Sequence, residues 1–223
     1  MNTYRFGETD ASVVLIQPLD EHDLPMLESE VRHIRELTEI PFRLTAVQVQ
    51  NWARDLSPWK APAVFGKEDF GDGAEETLRQ ILQLTDDRNK TYILGGYSLA
   101  GLFALWSAFH SDAFFGVAAA SPSIWFPGFL DHIKDRKCHC GAVYLSLGDK
   151  EEKTRNPVMR TVGERICEGY ELLKASGVET ALAWNQGNHF KDPDIRTAKA
   201  FAWVMQRLTG VGENGSSGAE AGQ

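Results

Sequence analysis

Short apolar runs alternate with amphipathic stretches along most of the chain, and this alternation predicts its secondary structure. Residues 13–17 are apolar enough for a buried strand, and apolar side chains then recur at helical spacing from Leu24 to Leu37, before Pro41. Further strands are predicted at residues 42–49, 92–95, 117–120, 142–147 and 178–184, and further helices at residues 74–84, 99–109, 158–175 and from Pro193 onward. Six strands that alternate with helices predict an α/β fold, with a doubly wound, mostly parallel sheet of about six strands and flanking helices.

Length and composition predict one folded domain. The chain has 223 residues, of which 43% are hydrophobic and 24% charged, as in ordinary globular proteins. We expect residues 1–208 to form a single domain and residues 209–223, which are rich in Gly, Ser and Glu, to be a disordered tail. Residues 51–73 form an unusually long connection whose aromatic residues, Trp52 among them, either line a substrate pocket or pack the loop onto the body.

A serine lies at the turn between a predicted strand and the most apolar predicted helix. Gly96 and Ala100 stand two residues before and two residues after Ser98. Small residues at these positions are needed in the strained strand-to-helix turn called a nucleophile elbow, although the strict pattern has glycine where Ala100 stands. The turn therefore predicts Ser98 as a nucleophile. The alternative is an ordinary glycine-rich turn that binds a phosphate at the helix N-terminus.

A nucleophilic serine needs a base, and the base needs an acid that orients it. After a nucleophile elbow the chain order is serine, acid, histidine. Of the histidines that follow the elbow, His189 alone lies just after the last predicted strand and is the candidate base; the alternative is a histidine that merely belongs to a surface loop. The acid is expected just after residues 142–147, where Asp149, Glu151 and Glu152 all qualify and their spacing does not separate them.

Net charge and cysteine content narrow the range of partners and the compartment. The formal net charge of −8 and the lack of a basic run argue against a nucleic-acid partner. The sequence shows no membrane-spanning run and no secretion signal, and its 3 cysteines are too few for a disulfide framework, so we expect a cytoplasmic protein. A small-molecule substrate is expected, with no membrane partner, no metal and no cofactor; the sequence does not specify an oligomeric state.

Three segments resemble the esterase-D and enterochelin-esterase group of α/β hydrolases. They are the elbow around Ser98, residues 120–125 after the next predicted strand, and the Gly-Asn-His at residues 187–189. The resemblance spans residues 13–208. It implies the α/β-hydrolase fold for this chain.

The same resemblance implies several site residues. In that group the acid often lies a few residues beyond a glycine that ends its strand, in a Gly-x-x-Glu pattern that falls on Glu151 here. Trp125 would lie near the pocket, although packing is the commoner role of a tryptophan. Trp125 and Trp52 of the long connection are the candidate substrate-binding residues. Siderophore lactones, simple acyl esters, feruloyl esters and formyl thioesters are all substrates within the group, and the sequence does not choose among them.

An oxyanion hole would require backbone N–H donors aimed at the developing negative charge. The N–H of Leu99, directly after the nucleophile, is the first candidate. The second donor is expected from the loop after the first strand, where Pro18 has no N–H and Leu19 is favoured over Gln17.

These features together predict a serine esterase that cleaves a carboxylic ester or thioester. The triad would be Ser98, Glu151 and His189, and the reaction would pass through an acyl-enzyme. An acyltransferase with the same triad is one alternative. A non-catalytic binding protein on a hydrolase scaffold is another, although the complete order of serine, acid and histidine argues against it.

Overall fold

A seven-stranded sheet lies at the centre of the computed structural model, which describes residues 1–208. The strands are β1 (Asn2–Gly7), β2 (Val13–Leu19), β3 (Phe42–Gln48), β4 (Thr91–Tyr97), β5 (Gly116–Ala120), β6 (Ala142–Gly148) and β7 (Glu179–Asn185). Their order is β1-β3-β2-β4-β5-β6-β7, and every neighbouring pair is parallel except β1 with β3. The predicted mostly parallel sheet is confirmed, with seven strands rather than about six. The predicted tail, residues 209–223, lies outside the described residues.

β1 is the strand that the sequence pattern did not predict. It pairs with β3 at the edge of the sheet, where Tyr4 lies opposite Ala46 and Phe6 opposite Leu44. Tyr4 and Phe6 are half-buried, whereas Arg5 between them is exposed. An antiparallel edge strand of this kind buries only one face, so its pattern alternates instead of forming an apolar run. Two apolar residues are too few to distinguish such a segment from a loop.

Helices cover both faces of the sheet. Within residues 1–208 they are α1 (Leu27–Leu37), α2 (Trp52–Asp55), α3 (Ala74–Leu82), α4 (Leu99–Ser107), α5 (Phe129–Lys134), α6 (Val162–Ala175) and α7 (Pro193–Gln206). One hydrophobic core lies beneath α1 and α7 and another beneath α3 to α6, so the sheet is doubly wound as predicted. The sequence did not predict α2 and α5, because helices of 4 and 6 residues are too short to show a helical period. No helix in the described part of the chain is long and apolar enough to cross a bilayer.

The helix α4 is buried along its whole length. All nine of its residues are buried, including the polar Ser107, which explains why the sequence is apolar nearly all round this helix. The first turn of α4 begins directly after Ser98. Packing of the helix into the core therefore fixes the position of this serine.

The carboxyl ends of the parallel strands meet at one edge of the sheet. Ser98 follows β4, Glu151 lies shortly after β6, and His189 lies in the loop after β7. In the sheet β6 and β7 are neighbours, and β5 alone separates β6 from β4. The topology thus brings together three residues that are far apart in the sequence.

Candidate active site

Ser98 lies in the sharp turn between β4 and α4. Its backbone has φ 57° and ψ −119°, a conformation that residues other than glycine rarely adopt. The turn brings its flanking residues into close contact, since a Cβ added to Gly96 would lie 2.6 Å from the Cβ of Ala100. Glycine at position 96 leaves room for alanine at position 100, and the turn has the geometry of a nucleophile elbow.

His189 lies next to Ser98. Its Nε2 atom is 3.0 Å from Ser98 Oγ, although 91 residues separate the two in sequence. This distance is within the reach that a general base needs to take a proton from a hydroxyl. The structure therefore brings together the residues that the sequence singled out as nucleophile and base.

The three candidate acids occupy different environments. Glu151 Oε2 lies 2.7 Å from Nδ1 of His189. Asp149 instead accepts a hydrogen bond from the N–H of Gly187 at 2.7 Å, and Glu152 is exposed. Glu151 is therefore the carboxylate that the structure places against the histidine.

Glu151 is held by donors on both of its oxygens. Its Oε1 atom accepts hydrogen bonds from Ser121 Oγ at 2.8 Å, from Gly148 N–H at 2.7 Å and from Arg196 Nη1 at 2.8 Å. Burial raises the pKa of this carboxyl, but the hydrogen bond and charge of His189 and the bonds from Gly148 and Ser121 outweigh burial, so its pKa lies below the ordinary value. Glu151 is therefore a carboxylate at neutral pH.

The ionisation of Glu151 sets the tautomer of the histidine. A carboxylate only accepts hydrogen bonds, so Nδ1 of His189 must carry the proton at the 2.7 Å contact. In the neutral imidazole Nε2 is then unprotonated and faces Ser98 Oγ as an acceptor. This arrangement prepares His189 to take the serine proton.

Arg196 is a site residue that sequence reasoning missed. It lies in the first turn of α7 and is 1% exposed. Besides Glu151, its guanidinium donates to the carbonyls of Gln186 and Asn188, at 3.2 and 3.0 Å. Arg196 therefore binds the acid and the loop that carries His189. One sequence feature could have indicated its role: it is a lone arginine on the apolar face of the helix that follows the candidate base.

Tyr97 connects the strand before the elbow to the same network. Its hydroxyl donates to the backbone carbonyl of His189 at 2.6 Å and accepts from Arg196 Nη1 at 3.1 Å. Burial raises the pKa of Tyr97 to about 12, so the hydroxyl keeps its proton for the carbonyl. The loop of His189 is thus fixed from two sides.

The segment after β5 also contacts the elbow. Ser123 Oγ lies 3.3 Å from Ser98 Oγ, and the N–H of Ser123 donates to the carbonyl of Ser98 at 3.0 Å. Ser121 has φ 42°, and its hydroxyl reaches Glu151. The segment that supplied part of the family resemblance therefore lies between the serine and the acid.

The two candidate oxyanion donors are placed differently. Leu99 is the first residue of α4, and the N–H groups of the first helical turn have no carbonyl of the helix to donate to. The Leu99 N–H is therefore free of a bond within the helix. Leu19 lies in β2, which continues beyond the predicted residues 13–17 because β3 runs beside it to Gln48. The carbonyl of Leu19 accepts from Val49 N–H on the β3 side. Since N–H and C=O of one strand residue point the same way, the Leu19 N–H faces β3 and not β4.

A cleft of about 410 Å³ opens over the serine and histidine. It is lined by Gln17, Pro18, Asp20, Asp23, Met26, Glu30, Trp52, Tyr97, Ser98, His189, Phe190, Pro193, Asp194 and Thr197. Trp52, at the start of α2, is thus placed at the cleft. Trp125 lines a separate cavity and packs against Phe65 and Phe70 at ring distances of 6.1 and 6.2 Å. Its large apolar surface is used in packing, so the structure does not bring it to Ser98.

The long connection of residues 51–73 serves both purposes that its sequence left open. Trp52 lines the cleft, whereas Phe70 is 3% exposed and packs against Phe126. Trp59 packs against the body as well, and its indole N–H donates to the carbonyl of Pro127 at 2.9 Å. One end of the connection therefore borders the cleft and the remainder attaches it to the domain.

The fold and the order of the candidate site residues together define the fold class of this protein. A doubly wound sheet with a serine elbow after a central strand, an acid after β6 and a histidine after β7 is the arrangement of the α/β-hydrolase fold. No family model matches the sequence, and no curated protein matches it significantly. The fold class is therefore established from three-dimensional similarity.

Several solved structures share this fold. The siderophore hydrolase EstA from Aspergillus nidulans superposes with a TM-score of 0.63 at 20% identity, over 91% of this chain and 86% of that chain. An IroE-like serine hydrolase from Shewanella oneidensis gives 0.70 at 15% identity, over 92% and 75%. The enterobactin esterase from Shigella flexneri gives 0.64 at 15% identity, over 92% and 55%. The expected resemblance to enterochelin-esterase-like α/β hydrolases is thus confirmed at the level of the fold.

Proposed function

We propose that this protein is a serine hydrolase that cleaves a carboxylic ester or thioester through an acyl-enzyme. The observation that carries the proposal is the unbroken hydrogen-bond chain from Glu151 through His189 to Ser98, with distances of 2.7 and 3.0 Å. The likeness in fold to solved esterases supports ester hydrolysis as the reaction class.

In the first half of the reaction, Ser98 Oγ attacks the acyl carbonyl while His189 Nε2 takes its proton. The oxyanion that forms is stabilised by backbone N–H donors, with Leu99 as the candidate in the first turn of α4. His189 then gives the proton to the leaving alcohol or thiol. The acyl group stays on Ser98 as an ester.

In the second half, water attacks the acyl-enzyme and His189 takes the proton of the water. Collapse of the second oxyanion returns this proton to Ser98 and releases the carboxylic acid. Glu151 stabilises the imidazolium that forms twice in the cycle. Its bonds to Arg196, Ser121 and Gly148 keep it ionised and aligned through both steps.

Labelling with a fluorophosphonate tests the nucleophile directly. The purified protein is incubated with the probe, and intact mass and peptide mapping locate the adduct. We expect one adduct, on Ser98, that is absent from Ser98→Ala and strongly reduced in His189→Ala. Ser123→Ala is the matched control, since its hydroxyl is only 3.3 Å from that of Ser98 and its removal should leave the adduct in place.

A screen of esters and thioesters of increasing acyl length then tests the reaction. Turnover by the wild type and none by Ser98→Ala supports hydrolysis. Absence of both labelling and turnover, under conditions in which a control hydrolase reacts, overturns the proposal. If turnover is faster with added alcohols or amines and yields their acyl derivatives, acyl transfer replaces hydrolysis as the function.

A further inference from the structure

The cleft over Ser98 has a strongly acidic end. Four carboxylates line it, and we call this set the acidic end of the cleft: Asp20, Asp23, Glu30 and Asp194. Among the described residues that line the cleft there is no lysine and no arginine. The proposed mechanism uses none of these four carboxylates, so they require another explanation.

Glu30 is the most deeply buried of the four. It belongs to α1, and the residue is 3% exposed. Its Oε2 atom accepts a hydrogen bond from Gln17 Nε2 at 3.2 Å, but Oε1 has no hydrogen-bond partner among the described residues. Gln17 Oε1 is also buried and without a partner there. Buried acceptors are nearly always satisfied, so two unsatisfied oxygens beside the cleft indicate a missing donor.

In the free protein Glu30 holds its proton at neutral pH, and a positively charged donor would displace this proton and pair with the carboxylate. Burial raises the pKa of Glu30 to about 8, and the neighbouring charges of Asp194 and Asp23 raise it further. Burial and the charge of Asp20 also raise the pKa of Asp23. Among the described residues, these four carboxyl groups form one ion pair, between Asp20 and His22, and the His22 side chain is 84% exposed. Within residues 1–208, no lysine or arginine therefore forms an ion pair with the acidic end.

An organic cation fits this end better than a metal ion. No three histidine, cysteine, aspartate or glutamate side chains within residues 1–208 converge closely enough to hold a metal. An alkylammonium group is larger, keeps several N–H donors and binds carboxylates that are spread over a wall. Trp52 and Phe190 line the same cleft, and their ring faces favour a cation as well.

We propose that the acidic end of the cleft binds a positively charged alkylammonium group of the substrate, so that the enzyme prefers esters that carry an amine. Glu30 and Gln17 would accept its hydrogen bonds, and Asp194 and Asp23 would add attraction at longer range. The preference in turnover rests on the proposed ester hydrolysis. The binding of the cation rests on the geometry of the cleft alone.

Matched pairs of esters test the preference. The para-nitrophenyl esters of aminocaproate and heptanoate differ by an ammonium in place of a terminal methyl, and aminohexyl butyrate and heptyl butyrate place the same difference in the alcohol. We expect kcat/KM to favour the cationic member of at least one pair by about tenfold or more, which is the size of effect that one hydrogen bond to a buried charge has. Glu30→Gln and Asp194→Asn should each reduce this ratio.

Glu28→Gln is the matched control. Glu28 lies on the same helix and is exposed, and its replacement is the same exchange of a carboxyl group for an amide. We expect it to leave the ratio unchanged. A ratio that falls equally in Glu28→Gln and Glu30→Gln would mean that net charge, and not the acidic end, sets the preference, and that result overturns the proposal.

Calorimetric binding of the same pairs to Ser98→Ala separates this inference from the proposed function. A tighter Kd for the cationic member that is lost in Ser98→Ala/Glu30→Gln supports the acidic end, even where the wild type shows no turnover. Turnover with equal binding and equal kcat/KM within both pairs supports the hydrolase and overturns the cation site. If Glu30→Gln does not fold, Asp194→Asn decides in its place.

Discussion

Arg196 and Glu151 form a buried ion pair on the side of the carboxylate opposite to His189. Arg196 Nη1 donates to Oε1 at 2.8 Å, while Oε2 lies 2.7 Å from His189 Nδ1. One carboxylate is therefore shared between a guanidinium and an imidazole. The permanent charge of Arg196 disfavours protonation of Glu151, so the carboxylate orients the imidazole without taking its proton.

Replacement of Arg196 by methionine is expected to cost both stability and activity. Arg196→Met keeps the volume but leaves Glu151 as a buried charge without its guanidinium partner, which lowers the free energy of unfolding by about 3–5 kcal/mol. The loop before His189 also loses two donors, so kcat should fall. Urea denaturation and ester kinetics measure the two effects.

Arg165→Met provides the comparison for that experiment. Arg165 pairs with Glu168 on the surface, where both side chains are about half exposed, and such a pair contributes about 0–1 kcal/mol. An Arg196→Met protein no less stable than Arg165→Met would contradict a structural role for the buried pair.

Glu151→Gln should impair turnover far more than Asp149→Asn. An amide at position 151 disfavours the tautomer in which Nδ1 carries the proton, and such a change lowers kcat by about 10⁴-fold in enzymes with a catalytic triad. In Asp149→Asn the new amide still offers an oxygen to the N–H of Gly187, so the backbone contact at 2.7 Å is retained. Steady-state kinetics of both variants on one ester compare them. Equal losses would mean that the acid is not Glu151 alone.

Ser98→Gly is expected to be more stable than Ser98→Ala, although both variants lack the proposed nucleophile. The serine has φ 57°, which alanine tolerates poorly and glycine adopts freely, so glycine should raise the free energy of unfolding by about 1 kcal/mol relative to alanine. Ser176, with φ −82°, is the control position, and there glycine should be the less stable replacement. Urea denaturation of the four variants tests the difference in sign.

Glu30 makes the stability of the fold depend on pH. Its pKa is about 8 in the folded protein and near the ordinary value of 4.5 in the unfolded chain. Between these values the folded protein binds the proton that the unfolded chain has released, so the free energy of unfolding falls as pH rises through this window. Below this window Glu30 is protonated in both states and does not change the pH dependence of stability. Above it, the loss in free energy of unfolding is complete.

The pH effect is measured as a difference between two proteins. The free energy of unfolding of Glu30→Gln minus that of wild type should grow from pH 5 to pH 8 by an amount on the order of a few kcal/mol. Asp23 and Asp194 lie near Glu30 in both proteins, so the difference isolates the effect of the side chain at position 30. A flat difference would show that folding leaves the pKa of Glu30 unchanged, which contradicts the prediction.

The parts of the fold that could be predicted are those with a period or a long apolar run. The buried strand at residues 142–147 and the all-apolar helix after Ser98 could be predicted from local sequence alone. Both are surrounded by the core, so their sequences are apolar throughout. β1 has two apolar residues and becomes a strand only because β3 offers it an open edge. Its pairing depends on a partner more than 35 residues away, which local pattern does not reveal.

The parts of the site that could be predicted are those that chain order specifies. Ser98 and His189 follow from their positions after strands, and Glu151 was separated from Asp149 only by family resemblance. Arg196 was missed because its role depends on contacts with three separate loops, and Glu30 because a glutamate on an amphipathic helix ordinarily faces solvent. Burial of a charge is a property of the assembled fold and has no local sequence pattern.

The acidic end of the cleft also bears on the fate of the product. An ester is uncharged at its reacting carbonyl, but hydrolysis turns that group into an anion next to Ser98. Asp20, Asp23 and Asp194 line the same cleft and repel it. The carboxylate product should therefore dissociate readily and inhibit weakly, while a released amino alcohol would be retained longer. The charge proposed to select the incoming substrate would thereby also set how readily each product leaves.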